Sequence, residues 1–373
     1  MRTFAILIVF ACTALGQRHK LEEVDAEKPE GKLLQQFMQE SDAAKKTALM
    51  EQFATQFPKL ETTAWVLEQL QTTYVKANEP DKVIAAGQKL LAMDPDDPEA
   101  ALQCLKAAET KKDVPMILAF SAKTSANARK IISSPQPKEA DEVETWKHEV
   151  DYAKQVDTYA DYALYRSALE ARDPKIVVEL AEVLQQRSPN SEYAAKSQES
   201  LFVAYRQSGA NDKAVALAEK VIATGQANED MLLVAADSYS QQKKEPEKVH
   251  QYSARIVELM NAKAKPEGMS DADWTNRKNL IIGLAHYMSG KQYELENKHA
   301  LAETELRAAL PLVETNANLK PEVLFLLGQA NYKMEKIQEA FSYFKQCAAL
   351  QSPFKAQAAK NVQVIQTQYR GVK

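Results

Sequence analysis

The chain has 373 residues, 45% of them apolar and 26% charged, with ten glycines and a formal net charge of −4. That supplies a large buried core and is long for one globular domain, so two domains or a repeat array are the natural organisations. Acidic and basic residues are interspersed, which leaves no electrostatic footprint for nucleic acid.

Residues 1–16 read as a secretory signal. Arg2 is the positive n-region, Phe4 to Ala11 the apolar stretch, and Ala14-Leu15-Gly16 a small-x-small cleavage site. The mature chain is then expected to start at Gln17 and to be exported, periplasmic or extracellular. The apolar run is too short to span a bilayer as an anchor. Val9-Phe10-Ala11-Cys12 fits a lipoprotein box less well, because Phe is a poor fit at its second place. No later segment is long and apolar enough for a transmembrane span.

Residues 17–30 are charged, lack an apolar period and read as a flexible lead-in. From about Gly31 onward nearly everything reads as helix, because Gly is scarce and Ala, Leu, Gln, Glu and Lys abound. The spacing predicts helical hairpins over 31–133 and again over 138–353, separated by Ser134-Pro135-Gln136-Pro137. A long helix is expected near 139–171, with Trp146, Tyr152, Tyr159, Tyr162 and Tyr165 along it. These aromatics read either as a contact strip or as packing against neighbouring helices, the second being favoured for Trp146 and Tyr165. Residues 354–373 carry four basic side chains and no acidic one, and read as a capping helix over the last hydrophobic face.

Local chemistry supports the hairpins. Pro80, Pro115, Pro174 and Pro246 stand at the start of second helices, where a missing N–H costs nothing. Asp173 before Pro174 is a candidate N-cap. Prolines 58, 95, 189 and 353 stand where a second helix must stop.

The clearest block is Leu327-Gly328, Tyr332, Ala340, Phe344 and Pro353, the eighth place of a 34-residue unit falling on Gly328. Residues 64–97 repeat it with Leu67, Leu70, Tyr74, Val83, Gly87 and Leu90. Units starting at 158 and 195 follow, with weaker ones near 27, 98, 229 and 276. The steps 64 to 98, 158 to 192 and 195 to 229 are each of 34 residues. The spacing lengthens around 121–157, after 246 and near 290–300. This set resembles the tetratricopeptide (TPR) repeat, whose signature runs W-x2-LG-x2-Y, A-x3-F and a closing Pro.

The resemblance implies an all-α protein, an α-α superhelix built as a right-handed solenoid of about seven to eight TPR-like hairpins. It implies a concave face lined by first helices. The family's contact places carried onto this chain are Trp65 and Glu68; Tyr159, Tyr162 and Arg166; Lys196, Glu199, Val203, Arg206 and Gln207; and Glu322, Phe325, Gln329, Tyr332 and Lys333. The partner is expected to be a protein or peptide segment. The Lys/Asn clamp that some members use for acidic tails is not reproduced.

No nucleophile elbow, zinc-binding HExxH or phosphate-cradling glycine loop occurs, so no catalytic, cofactor or metal residue is assigned. His286 and His299 flank Gly290, read as a turn, and lack a third ligand at helical spacing. Cys104 and Cys347 fall on apolar stripes and read as buried thiols. The expected function is a non-enzymatic envelope scaffold. The alternatives are an envelope enzyme with an unrecognised active site and a self-associating structural subunit.

Overall fold

The computed structural model describes residues 18–21 and 24–369. The signal-like segment 1–16 lies outside them, as do the calls on Cys12 and Gln17. The described residues form seventeen α-helices and no strand. They divide into two compact units that meet in sequence between Ser208 and Gly209.

Unit 1 contains α1 (Pro29–Gln39), α2 (Ala43–Gln56), α3 (Glu61–Lys76), α4 (Pro80–Met93), α5 (Pro98–Lys111), α6 (Val114–Ile132), α7 (Ala140–Glu170), α8 (Pro174–Arg187) and α9 (Glu192–Gln207). Each helix packs on the next, up to α8 on α9. The first helices α3, α5, α7 and α9 also touch in succession, which gives the unit one continuous first-helix face. The Ser134–Pro137 loop does not divide the chain. It only joins α6 to α7, which pack along each other inside unit 1.

Unit 2 contains α10 (Asn211–Ala223), α11 (Glu229–Gln242), α12 (Pro246–Ala262), α13 (Asp271–Leu295), α14 (His299–Leu312), α15 (Leu319–Lys333), α16 (Ile337–Ala348) and α17 (Lys355–Gln368). Again each helix packs on the next, and α11, α13 and α15 touch in succession.

Two details show why this sequence makes hairpins. The first is the turn. Asn78, Lys112, Lys243 and Glu335 have positive φ between 54° and 62°. Each is the fifteenth residue of a unit starting at 64, 98, 229 or 321, where the chain reverses out of its first helix. Prolines then open α4, α6, α8 and α12 at their first or second positions. Asp173 caps α8 by accepting from the Lys175 N–H at 2.9 Å.

The second detail is volume exchange across the hairpin. A Cβ on Gly328 would stand 2.6 Å from the Phe344 ring, so the eighth place must be small where the twenty-fourth is large. The roles are exchanged in the 64 unit, where the large residue is Gln71 and the small one Gly87. Leu105 faces this choice with Ser121, and Tyr165 with Ala181, in the same two places.

That rule corrects one reading. Gly290 is not a turn but lies inside α13, where an added Cβ would meet Leu306 Cγ at 2.7 Å. The turn comes later, at Asn297 with φ 59°, so this unit is in step from residue 283 rather than from about 276. The helical stretch 271–282 before it is the added length.

Candidate functional site

The first-helix face of unit 1 gathers a set of half-buried aromatics, with Tyr152 exposed at its edge. On α7, Tyr152, Gln155, Tyr159, Tyr162 and Arg166 follow each other at steps of three and four, so they share one stripe. Tyr193, in the first turn of α9, joins them. Its ring centroid is 5.4 Å from Tyr162 and 5.7 Å from Tyr165, and Tyr159 is 5.8 Å from Tyr162. Ser191 starts α9 early enough to place Tyr193 there, its hydroxyl accepting from the N–H groups of Tyr193 and Ala194.

Cations lie over this surface. Lys106 Nζ of α5 is 5.2 Å from the Tyr159 ring, and Lys196 Nζ of α9 is 5.2 Å from the Tyr193 ring. Such contacts orient the ammonium groups and contribute about 0.5–1 kcal/mol at exposed sites. Carboxylates hold the hydroxyls: Tyr159 donates to Glu109 Oε2 at 2.8 Å, and Tyr152 donates to Glu99. Burial raises the Glu109 pKa, and its Oε1 is buried without a hydrogen-bond partner among the described residues.

Two clefts open beside the stripe, and Tyr159 lines both. One, of about 380 Å³, runs along Lys154, Thr158, Tyr162 and Tyr193. The other, of about 580 Å³, has Lys106, Glu109 and Arg166 at its walls and Val114, Ile117 and Ile176 among its apolar lining. Mixed apolar and polar walls of this size suit a side chain or a short extended segment.

Of the sequence-derived places, Tyr159, Tyr162, Arg166 and Lys196 come together here. Arg166 is exposed and paired with Glu170 at 3.0 Å, and Lys196 with Glu192 at 2.8 Å. Glu199, Val203 and Arg206 lie exposed further along α9. Trp65 and Glu68 stand one turn apart on α3. Trp65 packs edge-on against Phe37 of α1 at 6.0 Å. Glu68 accepts from the His19 N–H at 3.4 Å.

In unit 2 the outcome differs. Phe325 is a core residue, 9% exposed and set between Phe344 at 5.7 Å and Phe354 at 5.3 Å. It is unavailable for ligand contact because Phe354 folds over it. Gln329, Tyr332 and Lys333 line a cleft of about 240 Å³ whose other wall is Asn361, Val364 and Ile365 of α17. The Tyr332 hydroxyl stands 3.3 Å from Gln368 Oε1. Glu322 is paired with Lys291 at 2.9 Å.

Lys106, Glu109 and Tyr193 are not among the sequence-derived places, whereas Tyr152 belongs to the aromatic strip expected along the long helix. The signal for Lys106 and Glu109 was present: they are the ninth and twelfth places of the 98 unit, to which the contact pattern was not extended. Tyr193 precedes the 195 unit, and Tyr152 lies in the added length before the 158 unit.

One array in unit 2 has the residue types of acyl-transfer chemistry. His250 Nε2 donates to Glu296 Oε1 at 2.9 Å, and its Nδ1 is 3.0 Å from Ser289 Oγ. Ser289 is only 5% exposed, however, and the imidazole is stacked on Tyr293 at 3.7 Å. Lys298 also holds Glu296, at 2.7 Å. A nucleophile needs access to a carbonyl, whereas this array ties α12 to α13. His286 and His299 go separately to Glu305 at 2.7 Å and Glu294 at 2.9 Å. Cys104 and Cys347 are free and buried, and burial pushes their thiols up to about 12 and about 11. No described helix is long and apolar enough to cross a membrane.

No family model matches the chain, and no curated protein matches it. Among solved structures it is similar to the crystal structure of the P58(IPK) TPR domain. That similarity covers 92% of this chain and 100% of the other, at 11% identity and a TM-score of 0.27.

Proposed function

We propose that the chain is a non-enzymatic scaffold that binds a protein or peptide segment on the first-helix face of unit 1. The observation that carries this reading is the tyrosine stripe of α7 and α9, half-buried, overlaid by lysines and flanked by two clefts. Tyrosines offer large contact area at low entropic cost, and with arginine they dominate binding energy at interfaces. The stripe is fixed by its neighbours before any ligand arrives, so recognition orders little of the scaffold. The scaffold's place in the cell envelope belongs to the same proposal and rests on the pattern of residues 1–16.

The test is affinity capture from an envelope extract with residues 17–373 as bait, beside the same bait carrying Tyr162→Ala and Lys196→Glu. A protein retained by the first and lost by the second supports the reading once its purified form binds with the same difference. Equal retention by both places the binding surface elsewhere.

A further inference from the structure

A short segment ahead of α1 lies against this same face. Arg18 forms an ion pair with Asp94, its Nη2 standing 3.4 Å from Asp94 Oδ1. His19 Nε2 is 3.3 Å from Asp97 Oδ2 and 3.8 Å from Asp94 Oδ2. The His19 N–H reaches Glu68 Oε2 at 3.4 Å. Leu21 and Val24 then pack on the apolar core of unit 1. The chain turns back into α1 over Gly31, where a Cβ would stand 2.1 Å from the Asp25 carbonyl oxygen. Of the lead-in, the described residues Arg18 and His19 are thus held by charge, and Leu21 and Val24 by apolar packing.

The receiving groups come from three places. Glu68 is on α3, Asp94 is in the α4–α5 connection, and Asp97 is the N-cap of α5. Asp97 has both oxygens in use: Oδ1 accepts from the N–H groups of Glu99 and Ala100 at 2.9 and 3.0 Å, which leaves Oδ2 for the imidazole. The cap thus presets a carboxylate whose side chain is only 3% exposed. Glu68 is one of the first-helix places expected to meet ligand, and here the chain's own histidine meets it.

We infer that Glu68, Asp94 and Asp97 form a receptor for a basic extended segment, and that Arg18-His19 occupies it in cis as a strap across the α3–α5 end of the face. Undocking the strap opens that end to a basic segment of the partner. The shielding role rests on the groove reading above. The strap's docking itself does not.

The charges set a direction with pH. The hydrogen bond to Asp97 is the main cause that raises the His19 pKa above its usual 6.5, with Glu68 and Asp94 adding to it. Burial pushes Glu68 up to about 7, while the His19 N–H and the His19 charge pull it down. The docked His19 value is raised by the carboxylates it meets, so His19 favours docking at low pH, whereas its contacts with Glu68 favour that carboxylate ionised. The His19 contribution is full below its ordinary value and is lost as pH rises through its docked value.

The test uses the full chain with Arg18→Ala and His19→Ala, which clears the receptor, and a fluorescein-labelled peptide Gln-Arg-His-Lys-Leu read by anisotropy. The cleared chain should bind the peptide at least tenfold more tightly than wild type, and more tightly at pH 6 than at pH 8. Adding Asp97→Asn keeps a capping side chain but removes the charge, and should abolish the binding. Equal binding to the cleared and wild-type chains overturns the proposal, as does no binding to the cleared chain. If the peptide binds but partner capture is unchanged in the cleared chain, the shielding is refuted and the groove reading stands. Hydrogen exchange of residues 18–21 in Gly31→Ala supplies a second readout. Exchange no faster than in wild type contradicts the anchoring of the strap.

Discussion

The two units are built by the same hairpin rule and differ in what they do with aromatics on their first helices. Unit 1 leaves Tyr152, Tyr159, Tyr162 and Tyr193 partly or fully exposed, with Tyr152, Tyr159 and Tyr193 held by charged neighbours and Tyr162 by the Tyr193 ring. Unit 2 buries Phe325 under Phe354 and lays α17 beside Tyr332. A repeat array needs its last face closed, because each hairpin buries apolar surface only against a neighbour. Position in the array, more than residue type at a contact place, separates a surface aromatic from a core one.

The contrast can be broken in several places. Phe325→Ala should cost unit 2 about 3–5 kcal/mol, the usual loss for a buried Phe, and leave partner binding by the folded chain unchanged. Urea unfolding and capture together check this. A loss of binding without a loss of stability would return Phe325 to the ligand surface. In unit 1 the comparable effect should come from charge. Asp161 and Arg187 pair at 2.8 Å, their side chains 7% and 13% exposed. Asp161→Ala leaves the guanidinium buried without its partner and should cost about 3–5 kcal/mol. Hydrogen exchange over α7 and α8 should show it.

Smaller effects sharpen the comparison. Gly328→Ala forces the Phe344 ring to move, an overpacking of about 1–3 kcal/mol, read as a lower urea midpoint for unit 2. Tyr162→Ala should weaken partner binding at least tenfold, equivalent to about 1.4 kcal/mol, while the unfolding midpoint barely shifts. The opposite pattern, lost stability with binding intact, would make the stripe a packing feature.

The hairpins were legible because their determinants are local. Prolines at helix starts, reversals at a fixed place and the exchange of small for large residues all recur at the 34-residue step. The unit near 276 is out of step in sequence because Gly290 resembles a turn residue, and its eighth-place role depends on Leu306 across the hairpin. The site was half legible. Tyr159, Tyr162 and Lys196 follow from the repeat register, but Phe325 stands in an equivalent register and is core. What covers it, Phe354, comes after the last repeat, so register alone could not show it. The strap was invisible for a similar reason: a charged stretch with no apolar period reads as unstructured, and its partners lie 49 to 78 residues away.

The most direct measurement is site-specific photocrosslinking in envelope extract. One chain carries p-benzoylphenylalanine in place of Tyr162, a second in place of Tyr332. The account predicts a discrete adduct from the Tyr162 position, lost when Lys196→Glu is added, and none from the Tyr332 position. An adduct from the Tyr332 position alone, or from neither, would contradict the assignment of the binding face to unit 1.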